Sequence, residues 1–83
     1  MRILYFAWLR ERIGLAEEEV APPPEVTDVR GLVEWCCRRG RGYAAAFADP
    51  SRIRVAVNQE AVGLDHPVGN GDEVAFFPPM TGG

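Results

Sequence analysis

Residues 73–83 read EVAFFPPMTGG. The segment EVAFF alternates as a strand does, with Val74 and Phe76 on one face and Ala75 and Phe77 on the other. Pro78 and Pro79 have no amide hydrogen to give to a ladder, so the sheet must end there. A Pro-Pro pair favours the extended polyproline conformation. Fully extended, residues 78–83 reach at most about 20 Å. Thr81 is small, and Gly82 and Gly83 have no side chains, so a narrow channel in a partner would admit Pro78, Pro79, Met80, Thr81 and the glycines as far as the carboxylate. The plainer alternative is a frayed terminus. Two parts follow: a folded domain over residues 1–77 and an extended tail over 78–83.

Working back from that strand, RIRVAVN is a second strand, with Ile53, Val55 and Val57 alternating with Arg52, Arg54 and Ala56. RILYFAWL near the start is a third, apolar on both faces and therefore central or covered. RERIG predicts a short helical turn stopped by Gly14, and LAEEEVAP a more exposed strand closing a hairpin with the first. PPPE leads into a helix capped by Thr27 or Asp28. Val29, Leu32, Val33 and Cys36 make its apolar stripe, and Gly31 within it would let the helix approach the sheet. Arg38 and Arg39 would complement the helix dipole, with Gly40 as its stop. YAAAFADP predicts a short further helix, QEAVGLDHP a turn-rich stretch, and Asn70-Gly71 a hairpin turn. The fold class expected is α+β, a sheet packed against one main helix.

With Ile3, Tyr5, Val74 and Phe76 facing the helix, Leu4, Phe6, Ala75 and Phe77 face outward. No helix of the chain remains to cover them, and such patches mark partner surfaces. The competing account is a one-residue slip in one strand, which would exchange its faces.

The chain has 83 residues, enough for one domain with a modest core. No apolar run approaches membrane-spanning length, and MRILYFAWLRER lacks a small-residue cleavage site, so no leader or membrane segment is expected. The net charge of −3 argues against nucleic acid as the main partner. Cys36 and Cys37 are adjacent, a strained arrangement for a disulfide, and a cytoplasmic protein is expected. All nine basic residues are arginine. Without lysine, a reactive acyl group on this chain would meet no ε-amine of its own; biased codon usage is the simpler cause.

Other candidate sites have plainer readings. Gly40 to Ala45 fits a loose G-x-G-x-x-A pattern, but it follows a helix where a dinucleotide site needs a strand. His66 lies in a turn beside Asp65 and would need distant partners to bind a metal. Cys36 belongs to the core stripe and Cys37 lies beside it, neither with an activating base in sequence. No nucleophile triad, phosphate loop or carboxylate pair stands out, so an autonomous active site is not expected, and no metal site is assigned.

FAWLRERIG, VAVNQEAV and above all DHPVGNGDEVAFFPPMTGG resemble the small subunit of molybdopterin synthase, a ubiquitin-like sulfur-carrier family. The likeness spans the chain and is strongest over its last third. It implies a β-grasp fold. It also implies that an ATP-dependent, ubiquitin-activating-like enzyme adenylates the Gly83 carboxylate, and that sulfur from a persulfide donor then leaves a thiocarboxylate. The tail would deliver this sulfur to a cyclic pyranopterin monophosphate in the synthase large subunit, in a heterotetramer with two copies of each chain. The large subunit would hold the acid-base side chains, so the carrier is a non-autonomous sulfurtransferase subunit with no cofactor bound to it. Family interface positions carry over to Phe6, Arg10, Ala61 and Phe77, beside Ala75 of the outward patch; Ala61 stands where a larger apolar residue is frequent. Rival readings are a carrier for thiamine synthesis or tRNA thiolation, a protein modifier conjugated through Gly83, and a plain β-grasp binding module.

Overall fold

A computed structural model describes residues 1–79, and the expectations for Met80, Thr81, Gly82 and Gly83 lie outside the described residues. The elements in chain order are β1 (Arg2–Tyr5), α1 (Trp8–Ile13), β2 (Glu17–Glu19), α2 (Val29–Cys37), α3 (Arg41–Ala46), a 3₁₀ turn (Pro50–Arg52), β3 (Arg54–Val57), β4 (Glu60–Val62) and β5 (Glu73–Phe77).

The strands form one five-stranded mixed sheet in the order β2-β1-β5-β3-β4. The central pair, β1 and β5, is parallel, with Ile3 opposite Val74 and Tyr5 opposite Phe76; the other pairings are antiparallel. Parallel strands need a long crossover, and here everything between β1 and β5 supplies it. The helices pack on one face. Ile3, Tyr5, Val55, Val57, Val74 and Phe76 from the sheet meet Leu9, Val29, Leu32, Cys36, Ala46 and Phe47 in a single buried cluster. This is the β-grasp architecture, and the inward alternation of β1, β3 and β5 is as expected.

Local chemistry sets the elements. The Asp28 carboxylate caps α2 by accepting from the Gly31 amide at 2.8 Å. A Cβ on Gly31 would press on that carboxylate at 3.2 Å and meets no sheet atom, so this glycine makes room for the cap. Gly14 ends α1 in the left-handed region at φ 90°, which glycine adopts without steric cost. Gly42 is needed for packing instead. A Cβ there would lie 2.6 Å from the Arg12 carbonyl oxygen, so its absence lets α3 sit against α1.

Four expectations change. The strand read through RILYFAWL stops at Tyr5, because Ala7 turns the chain at φ 55° and Trp8 starts α1. The first and second strands do pair antiparallel, but through α1 and not through a tight hairpin. The hairpin turn is Asn58-Gln59, not Asn70-Gly71: Val57 pairs with Glu60, and both turn residues have positive φ (51° and 70°), as a two-residue hairpin of this twist requires. Asn70-Gly71 does make a reverse turn, closed by the Asp72 amide on the Gly69 carbonyl at 3.1 Å, but Val68 before it bonds to Thr27 and no hairpin results. Finally, α2 ends at Cys37 with Arg38 as its C-cap, so Gly40 is not its stop but the residue before α3, and Arg39 serves an ion pair with Glu18 at 2.9 Å.

Candidate functional site

The two faces of the sheet have different chemistry. On the inner face, Glu18 stands opposite Ile3 and its carboxylate collects donors. The Tyr5 and Tyr43 hydroxyls donate to it at 2.7 and 2.8 Å, and the Arg39 guanidinium donates two bonds at 2.9 and 3.0 Å. The same guanidinium lies over the rings of Trp35 and Tyr43, 4.8 Å from each centroid. Burial alone would raise the Glu18 pKa, but the donors from Arg39, Tyr5 and Tyr43 outweigh it and hold the carboxyl below its ordinary value. Burial and the bond to Glu18 raise the Tyr5 pKa. Every buried polar side-chain atom among the described residues has a partner, so this network closes the inner face and offers no open site.

Among the described residues the outer face has no covering layer. Register places Leu4, Ala75, Ala56 and Ala61 in one row across β1, β5, β3 and β4. The next row joins Phe77 to Arg54. Phe6 extends the parallel ladder through its amide, which donates to the Phe76 carbonyl at 3.1 Å, and so stands beside Phe77. Phe6 is 46% exposed, the most exposed large apolar side chain among the described residues. Phe77, Ala75 and Leu4 are half-buried, and Ala61 is exposed. The side chains at these positions are small in the middle of the sheet and aromatic at one end, giving a shallow apolar floor with a raised rim.

The structure thus brings Phe6, Ala75 and Phe77 together on one surface. Ala61 lies in the same row two strands away, about 10 Å from Ala75 at normal strand spacing. Arg10 is exposed on α1, which follows Phe6 directly. Pro78 and Pro79 leave the sheet from the aromatic end. The sequence reading did not include Leu4 and Ala56 among the site residues, though the alternation of RILY and RIRVAVN had already put both outward.

The remaining candidates lie elsewhere. Cys36 is fully buried, and burial pushes its thiol up to about 11; Cys37 is half-buried and also raised by burial. Thiols so placed are poor nucleophiles at neutral pH. His66 is part of a turn: its amide donates to Gly63 at 3.2 Å, and its carbonyl accepts from Val29 at 3.0 Å. Among the described residues no group of three or more His, Cys, Asp or Glu side chains is placed to hold a metal ion. No helix there is long and apolar enough to cross a membrane.

A small domain of this kind, with its helices on one sheet face and a strand leading from an open apolar face into a Gly-Gly segment, belongs to the ubiquitin-like class. Within that class the chain belongs to the ThiS family, whose model matches residues 3–83. It is 41% identical to the molybdopterin synthase sulfur carrier subunit of Escherichia coli over 83 residues, covering all of this chain and 99% of that one. It is 34% identical to the protein of the same name from Mycobacterium tuberculosis, over all of this chain and 96% of that one. Among solved structures it superposes on a putative molybdopterin converting factor subunit 1 from Pyrococcus furiosus, with TM-score 0.75 and 32% identity over 95% of each chain. It also superposes on small archaeal modifier protein 1 of Haloferax volcanii, with TM-score 0.68 and 26% identity over 96% of this chain and 97% of that one.

Proposed function

We propose that this protein is the sulfur-carrier subunit of a molybdopterin synthase, bearing its sulfur as a thiocarboxylate on Gly83. The observation that carries the reading is the open apolar face running to Phe6 and Phe77 at the root of Pro78-Pro79, in a chain whose family match extends to residue 83. An ordinary carboxylate resists attack, so it must first be activated. An adenylating enzyme of the ubiquitin-activating type uses ATP for this, a persulfide supplies sulfur, and the chain itself binds no cofactor. The thiocarboxylate is ionised at neutral pH and is a good sulfur nucleophile. It enters the large subunit and attacks the cyclic pyranopterin monophosphate, towards the dithiolene that holds molybdenum. Each product takes two sulfurs, which suits a heterotetramer with two carriers. The work is cytoplasmic. Gly82 and Gly83 serve access and chemistry; Pro78, Pro79, Met80 and Thr81 are the spacer; Phe6, Arg10, Ala61, Ala75 and Phe77 dock.

The test is an intact mass after incubation with ATP, an activating enzyme and a sulfur donor. The expected result is replacement of one oxygen by sulfur at Gly83, with sulfur then lost to the pterin precursor when the large subunit is added. A chain lacking Gly82 and Gly83 keeps its unfolding midpoint and gives no shift. An unmodified mass in a reaction that charges an authentic carrier would overturn the reading. A protein modifier is the second reading, favoured by the likeness to the archaeal modifier protein; isopeptide-linked adducts in cell extract would support it.

A further inference from the structure

The end of the sheet from which the tail leaves is also the basic end of the molecule. Arg12 of α1 and Arg52 of the 3₁₀ turn both place their guanidinium groups over the Trp8 ring, 4.7 and 5.3 Å from its centroid. Arg54 stands opposite Phe77 in the sheet, and its guanidinium donates to the backbone oxygen of Ile53 at 3.2 Å. All three are exposed, and among the described residues none has a carboxylate partner within ion-pair distance, in contrast to Arg2, Arg30 and Arg39. The nearby segments contribute only Glu11, and Asp49, whose carboxylate is occupied by the Ser51 amide and hydroxyl at 3.1 and 2.6 Å. The far end of the sheet is acidic: Glu19, Arg2 and Glu73 share a row, Arg2 is tied to Glu17, and Glu60 and Asp72 lie alongside. Among the described residues six arginines have no ion pair, and three of them, Arg12, Arg52 and Arg54, lie at the end of the sheet where β5 finishes; the others are Arg10, Arg38 and Arg41.

We propose that Arg12, Arg52 and Arg54 form an electrostatic collar that guides this chain, tail first, onto an acidic rim around the channel of the enzyme that receives the tail. The proposal rests on the carrier reading above and adds the charge of the receiving surface. The arginines are held ready: stacking on Trp8 and bonding to the backbone restrict them before any partner arrives, so less ordering is lost on docking. Because the acidic end is repelled by the same rim, the molecule is oriented as well as attracted. The observations favour a protein over nucleic acid. The three arginines stand at one end of an apolar floor, where β5 finishes, whereas a phosphate backbone needs a basic track, and the acidic far end of the sheet would repel it.

The experiment is a stopped-flow measurement of association with the synthase large subunit and, separately, with the activating enzyme. For the unaltered chain, raising salt from about 0.02 M to about 0.5 M is expected to lower the association rate constant by about tenfold or more. Arg12→Glu/Arg52→Glu/Arg54→Glu should lose about the same factor at low salt and most of the salt dependence, with dissociation changed less than about threefold. Arg30→Glu, in the first turn of α2 and outside the collar, makes the same charge change as a single collar substitution and should leave the rate within about twofold. Arg54→Gln, which gives up only backbone contacts, carries the test if the triple variant unfolds; it should slow association by about twofold or more. Salt-independent association, or collar variants that associate as fast as the unaltered chain, overturns the collar and leaves the carrier reading intact. So does heparin or duplex DNA binding as tightly as either enzyme. Failure to bind both enzymes overturns both.

Discussion

Phe76 and Phe77 are neighbours in β5 with the same side chain and opposite surroundings. Phe76 is fully buried, stacked near Tyr5 and edge-on to Phe47 at 4.9 Å. Phe77 is half-buried on the open face beside Phe6 and Arg54. One residue of strand separates a group that holds the domain together from one that the domain does not need. The contrast extends to whole faces. The inner face closes its half-buried carboxylate, Glu18, with donors from Tyr5, Tyr43 and Arg39. The outer face leaves apolar side chains in water. A domain this small has little stability to spare, so an uncovered apolar surface beside Pro78-Pro79 is most simply explained by a partner.

Phe76→Ala should break the inner side of this comparison outright, costing about 3–5 kcal/mol in urea unfolding, as removal of a buried aromatic ring does. Glu18→Ala should cost about 2–3 kcal/mol, because two hydroxyls and a guanidinium lose their acceptor. Glu19→Ala, on the exposed side of the same strand, should stay within about 0.5 kcal/mol. Phe77→Ala sharpens the contrast from the other face: stability changes by less than about 1 kcal/mol, while calorimetry shows the large subunit bound at least tenfold more weakly, about 1.4 kcal/mol. Equal affinity would remove Phe77 from the interface.

The pH dependence follows from the inner face. Glu18 is held below its ordinary pKa, so its stabilisation is present above the unfolded carboxylate pKa and is lost as pH falls through the folded one. Cys36 is raised to about 11, so its contribution is present below the unfolded thiol pKa and is lost as pH rises through the folded one. Glu18→Gln should flatten the acid limb of a stability-pH curve and flatten the alkaline limb less, because burial is the larger cause of the raised Tyr5 and Cys36 values. The smallest effect concerns the joint between the faces. Ala7 sits at φ 55°, where a Cβ is strained, and Ala7→Gly should gain about 0.5–1 kcal/mol in thermal unfolding.

Much of this was legible in the residues. The alternation of EVAFF and RIRVAVN, a cap at Thr27 or Asp28, the stop at Gly14 and the break at Pro78 are local facts, and period, capping and proline geometry translate them into structure without reference to the rest of the chain. The outward set Leu4, Phe6, Ala75 and Phe77 followed from alternation alone, since a strand has only two faces. What tertiary structure decided was everything that depended on a distant partner. Glu17, Glu18 and Glu19 are identical in sequence, and only the register with Ile3 turned the middle one inward to Tyr5, Tyr43 and Arg39. Asn58-Gln59 became the hairpin turn because Asn58 also anchors the start of β5. Its amide donates to the Glu73 carbonyl, its side-chain oxygen accepts from the Glu73 amide, and its side-chain nitrogen donates to Asp72 at 2.9 Å. The arginine collar arose because Trp8 of α1 meets the 3₁₀ turn, a segment well separated from it in the chain. Sequence period fixes which way a side chain points; only the folded sheet fixes what it meets there.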